Sequence, residues 1–182
     1  MKPAQPVTPE LDALAQLFYA NLAELGDFTA VEPAEMPDIY RELLAHEHHM
    51  TVTVERHHGG PVDVEVLQTL ITDTHYARKI RLVLSESRRV VQFGIMRVNL
   101  DYLAPVVRRR IEAQDTPLGR ILIDHNVLRR VELHTLWRLQ PGRDLSEVLE
   151  LSPAQETYGR TALIYCNKAP AVELLEVLSP VE

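Results

Sequence analysis

The spacing of apolar residues changes once along the chain, dividing a helical beginning from a longer region of alternation. Leu11, Leu14, Ala15, Leu17, Phe18, Leu22 and Leu25 recur at helical intervals. Thr8, Pro9 and Glu10 precede them as a capping hydroxyl, a first-turn proline and an early acid, and Gly26 follows as a stop. One helix is therefore expected from about residue 8 to Gly26. A second, short helix is expected from Pro37, presenting Ile39, Tyr40, Leu43 and Leu44 and ending in a histidine-rich segment. From Met50 onwards alternation takes over. Strand character marks 49–57, 62–71, 75–85, 89–99, 127–139, 158–167 and 171–178, separated by turn residues at Gly59-Gly60, 85–87, Pro141-Gly142 and 167–170. Helical pieces interrupt these runs at about 101–113, after Pro117 and at about 144–150.

Tight connections favour antiparallel pairing. The pattern predicts an α+β fold, an antiparallel sheet of about six strands with helices gathered on one side. No repeat, low-complexity segment or linker divides the chain. It reads as a single domain over 1–182, with helices in 1–48 and the sheet in 49–182.

Alternation also exposes charges on the wrong face. Tyr76, Arg78, Ile80, Leu82 and Leu84 share one face of a strand, so Arg78 points where Ile80 and Leu82 point. An unpaired guanidinium there is costly, and Arg78 must meet a carboxylate from the protein or from a ligand. In 127–139 the face of Val127, Val131, Leu133, Thr135, Trp137 and Leu139 also carries Arg129, whose place near the strand's entrance lets it snorkel to water. The last strand is apolar on both faces apart from Glu173 and Glu176, which point in opposite directions. A buried one would either neutralise Arg78 or, with a raised pKa, act as a general acid.

Composition removes several function classes. With 19 Lys plus Arg against 26 Asp plus Glu, a net charge of −7, the chain lacks the basic face of a general nucleic-acid binder. Cys166 is the only cysteine, which excludes an internal disulfide and a thiolate metal cage and fits a reducing compartment. No apolar run is long enough for a membrane span, and residues 1–4 show no signal-peptide core, so a cytoplasmic protein is expected. The cluster His46, His48, His49, His57 and His58 invites a metal, but the zincin spacing fails at Met50 and no third ligand is indicated. No metal and no cofactor are expected.

Four segments together resemble the chorismate pyruvate-lyase superfamily: Met50-Thr51, Tyr76-Ala77-Arg78-Lys79-Ile80, Thr116-Pro117-Leu118-Gly119-Arg120 and Leu175-Glu176-Val177-Leu178-Ser179-Pro180. The resemblance implies an antiparallel sheet with helices around an enclosed ligand cavity, and a cofactor-free carbon–oxygen lyase converting chorismate, or a related aromatic carboxylic acid, to 4-hydroxybenzoate and pyruvate. It matches Arg78 to the arginine that binds the ring carboxylate, Met50 and Leu118 to residues whose amides help hold it, and Glu176 to the glutamate near the ring oxygen. Gly94 is followed by Ile95 where the enzymes carry an arginine, leaving Arg97 as the nearest basic residue on that strand and Arg129 as a further candidate for the second carboxylate. One extra residue between Pro170 and the glutamate fits a bulge and makes Glu173 a competitor. The same fold resembles the effector-binding domain of GntR-type transcription regulators, which implies the alternative, a non-catalytic sensor or binding protein for an aromatic acid. The 48 or so residues before Met50 contain no basic recognition helix, which disfavours a complete regulator.

Overall fold

Six of the alternating runs form strands, and a seventh strand comes from a segment expected to end a helix. The computed structural model describes residues 9–151 and 155–181. The strands are β1 (Gly26–Val31), β2 (Val62–Ile71), β3 (His75–Leu84), β4 (Val90–Asn99), β5 (Arg129–Pro141), β6 (Thr157–Cys166) and β7 (Ala169–Leu178). They form one sheet in the order β1-β5-β6-β7-β4-β3-β2, with every neighbouring pair antiparallel. The helices are α1 (Leu11–Ala15), α2 (Asp38–Leu44), α3 (Met50–His58), α4 (Pro105–Glu112), α5 (Leu118–Asp124) and α6 (Arg143–Leu149). The α+β class with an antiparallel sheet flanked by helices is thus the observed architecture. No helix among the described residues is long and apolar enough to cross a membrane.

The first helix is shorter than its spacing suggests. α1 stops at Ala15, Leu22–Glu24 form one 3-10 turn, and Gly26 opens β1 rather than closing a helix. Gly26 has φ +145°, and a Cβ there would lie 2.3 Å from the Gln140 carbonyl oxygen, so the glycine serves the close approach of β1 to β5. Thr8 lies outside the described residues; Glu10 occupies the cap of α1 without a side-chain capping bond.

The run 49–57 is a helix, not a strand. Thr51, Val52, Thr53 and Val54 have high strand propensity, but burying Met50, Thr51 and Val54 on one side overrides it. Gly59, with φ 71°, ends α3, and the Gly60 amide bonds back to the Glu55 carbonyl. The glycine pair that suggested a hairpin is therefore a helix terminus.

Helices cover both faces of the sheet rather than one. Even-numbered positions of β3, β4 and β7, such as Tyr76, Leu82, Met96, Val98 and Leu174, pack against α2 to α5. Odd-numbered ones, such as Val83, Phe93, Ile95, Leu175 and Val177, pack against α1 and α6. In β5 the register slips between Leu133 and Thr135, so the single face expected over 127–139 divides. Leu133 and Leu136 stay on the α2–α3 side, whereas Trp137 and Leu139 join the α1–α6 layer.

Candidate ligand-binding site

The even face of the sheet carries the site as a lattice of cross-strand neighbours. One row runs Ile80, Gly94, Glu176, Arg160 across β3, β4, β7 and β6; the next runs Arg78, Met96, Leu174, Ala162. α3 and α5 begin over these rows. Gly119 allows that approach, since a Cβ there would stand 3.0 Å from the Thr51 hydroxyl and 3.2 Å from the His49 Cβ. Between helices and sheet lies a cavity of about 50 Å³, whose lining includes Met50, Arg78, Gln92, Leu118, Arg160 and Glu176. Met50 and Leu118 are each the first residue of a helix, where backbone N–H groups lack intrahelical partners.

Arg78 is 1% exposed and has no carboxylate partner among the described residues. Its Nη2 donates to the Thr116 carbonyl at 3.3 Å, while Nε and Nη1 have no partner among the described residues. Burial pushes its pKa below the ordinary guanidinium value, and nearby Tyr76 opposes this. Among the described residues the Tyr76 hydroxyl has no partner within hydrogen-bond geometry. An arginine stays protonated even so. The cavity therefore contains a largely unsatisfied positive charge.

Glu176 lines the same cavity, but it does not neutralise Arg78. It faces Arg160 directly across β6 and β7, and Arg160 Nε donates to Glu176 Oε2 at 2.7 Å. Arg160 is 0% exposed and fully engaged. Its Nη1 donates to the His46 carbonyl at 2.8 Å and its Nη2 to the His48 carbonyl at 2.9 Å, tying the loop between α2 and α3 to the sheet. Sequence reasoning missed Arg160, although it shares a strand face with Ala162 and Ile164, the same anomaly that singled out Arg78.

The other candidates lie elsewhere. Arg97 and Glu173 sit on the opposite face and hold each other bidentately, Nε and Nη2 to the two carboxylate oxygens at 2.7 and 2.8 Å. Arg97 is thereby turned away from the cavity. The extra residue before the glutamates is taken up at Ala171, where the pairing steps from Ile164–Val172 to Tyr165–Pro170. Arg129 lines a separate groove, and its Nε donates to His49 Nε2 at 2.7 Å. His49 borders both groove and cavity. Among the described residues, no group of three or more His, Cys, Asp or Glu could hold a metal ion.

The Arg129 bond requires a neutral His49 with its proton on Nδ1. Burial first, then the charges of Arg129 and Arg160, lower His49 to about 4. His46 falls to about 4 through burial and then the charge of Arg160, and His58 to about 4 through burial and its neighbours His57 and Arg89. Between roughly pH 4 and 6.5 the unfolded chain binds protons that the folded one refuses. Stability is therefore expected to fall as pH drops through this window and to change little from these groups above it. Urea midpoints measured at pH 7, 6, 5 and 4.5 check this, and a flat profile would contradict it.

No family model matches the chain, and no curated protein matches it. Its fold is similar to PhnF from Mycobacterium smegmatis, at 9% identity and a TM-score of 0.55 over 72% of this chain and 63% of that one. The matched part thus spans less than two thirds of PhnF. Weaker likenesses include a GntR-family transcriptional regulator from Bacillus cereus (8% identity, TM-score 0.45, 65% of this chain and 92% of that one). Another is the C-terminal domain of the histidine utilization repressor from Pseudomonas syringae (11%, 0.46, 66% and 96%). The expectation of a chorismate lyase and its chorismate, pyruvate and 4-hydroxybenzoate chemistry is corrected here, because the fold likeness found at a TM-score of 0.55 is to PhnF rather than to such an enzyme. The site agrees with that correction, since Glu176, expected to move a proton, is occupied in holding Arg160. At the level of fold, the chain is similar to PhnF.

Proposed function

We propose that the chain is a non-catalytic binding domain for a small organic carboxylate, held by Arg78 inside the cavity. One observation carries this reading: a guanidinium 1% exposed, with two nitrogens unpaired among the described residues, lining a cavity between helices and sheet. Such a group is expensive to keep unless an anion completes it, and a carboxylate matches its planar fork. The first turn of α3, at Met50 and Thr51, where N–H groups lack intrahelical partners, adds a favourable end for negative charge. The expected aromatic acid sits less easily. A cavity of about 50 Å³ is well below the roughly 150 Å³ that accommodates benzene, so a compact acid enters without rearrangement and a ring requires the lining to move.

Thermal denaturation with a panel of small carboxylic acids tests this reading. One or more acids are expected to raise the Tm of the native chain and none that of Arg78→Met, because only a ligand that binds the folded state shifts the midpoint. Equal shifts in both proteins, or none in either, would refute the proposal. Incubation with chorismate is expected to release no pyruvate.

A further inference from the structure

Arg78 is not the only unpaired polar group in the cavity. Gln92, on β4, is 3% exposed, lines the same space, and its Oε1 is buried without a hydrogen-bond partner. It stands opposite Leu82 on β3 and Leu178 on β7, a setting in which leucine would pack without leaving a polar atom orphaned. Along the sheet, the Arg78–Met96 row and the Leu82–Gln92 row flank the row of Ile80 and Gly94. The two polar residues are thus four positions apart along β3 and β4, about 13 Å at the backbone. Gly94, midway between them, presents no side chain to the space. One end of the cavity offers a charge and the other a neutral amide; between them lie Ile80 and Gly94, with the Glu176–Arg160 ion pair continuing the same row.

We infer that the ligand carries, besides the acid group held by Arg78, a hydroxyl or similar hydrogen-bonding group at its far end, and that Gln92 reads it. This rests on the carboxylate-binding reading and narrows it to hydroxy acids and their like. An amide suits the task because it accepts through oxygen and donates through nitrogen, so a hydroxyl satisfies it in either orientation. A ligand lacking that group leaves the Gln92 Oε1 without a partner, and discrimination by a buried polar group is correspondingly strong. Gln92 acts as a specificity residue and performs no chemistry.

Matched probes separate this claim from the one beneath it: butanoate against 4-hydroxybutanoate, pentanoate against 5-hydroxypentanoate, and benzoate against 4-hydroxybenzoate. By calorimetric titration, at least one hydroxy acid is expected to bind about tenfold or more tightly than its parent, the value of one well-made buried hydrogen bond. In Gln92→Leu, with Gln92→Met as a second variant, that preference collapses to near unity. Either variant is also expected to melt a few degrees higher without ligand, since the orphaned amide is gone. Acids that bind through Arg78 with the same hydroxyl preference in native and Gln92 variants would overturn the role of Gln92 and leave the carboxylate reading standing. Failure of every probe to bind the native chain would overturn both.

Discussion

Replacing Arg160 by methionine is expected to destabilise the protein by about 3–5 kcal/mol, the usual cost of leaving one member of a buried ion pair alone. Glu176 would keep its carboxylate in the cavity wall with its side chain only 10% exposed and without the guanidinium that pairs with it. The carbonyls of His46 and His48 would lose their donors at the same time, freeing the loop that leads into α3. The double variant Arg160→Met/Glu176→Met is expected to recover most of the loss, since apolar side chains of similar volume often replace a buried pair at little cost. Urea unfolding of the two single variants and the double variant forms the cycle. A coupling near zero would mean that the pair does not hold the loop.

Arg78 is expected to behave in the opposite way. Arg78→Met removes a buried charge that the described residues satisfy only through the Thr116 carbonyl, so the ligand-free protein should gain about 1–3 kcal/mol. Binding of the carboxylate should weaken by roughly 2–5 kcal/mol, on the order of 10²–10³ in Kd, because a desolvated charge pair is lost. Stability and affinity moving apart in this way distinguish a binding residue from a structural one. Arg160, also buried, lowers stability when removed because the protein itself satisfies it.

The strands from β2 to β7 were legible because alternation in half-buried strands is a direct record of which side faces the core. Arg78 was legible for the same reason, as a charge sharing a face with Ile80 and Leu82. Where local pattern and tertiary contact disagreed, the sequence misled. Met50 to Val54 alternate like a strand, yet the contacts of Met50, Thr51 and Val54 with the sheet make a helix. Gly26 resembles a helix stop, but its function depends on the Gln140 carbonyl more than a hundred residues away. The partners of the two last-strand glutamates were equally out of reach. Their opposite faces could be read, but that Arg160 claims Glu176 and Arg97 claims Glu173 follows from strand order, which places β7 between β6 and β4. Gln92 gave no signal, because a neutral side chain on an apolar face costs too little to stand out.

Isothermal titration of the native chain with the most stabilising acid from the panel, alongside the primary amide of that same acid, tests the central claim most directly. The two ligands have nearly the same shape and differ in the charge that Arg78 requires. The acid is expected to bind with 1:1 stoichiometry and the amide about 10²-fold more weakly or undetectably. Equal affinity for acid and amide would contradict a site built around the Arg78 guanidinium.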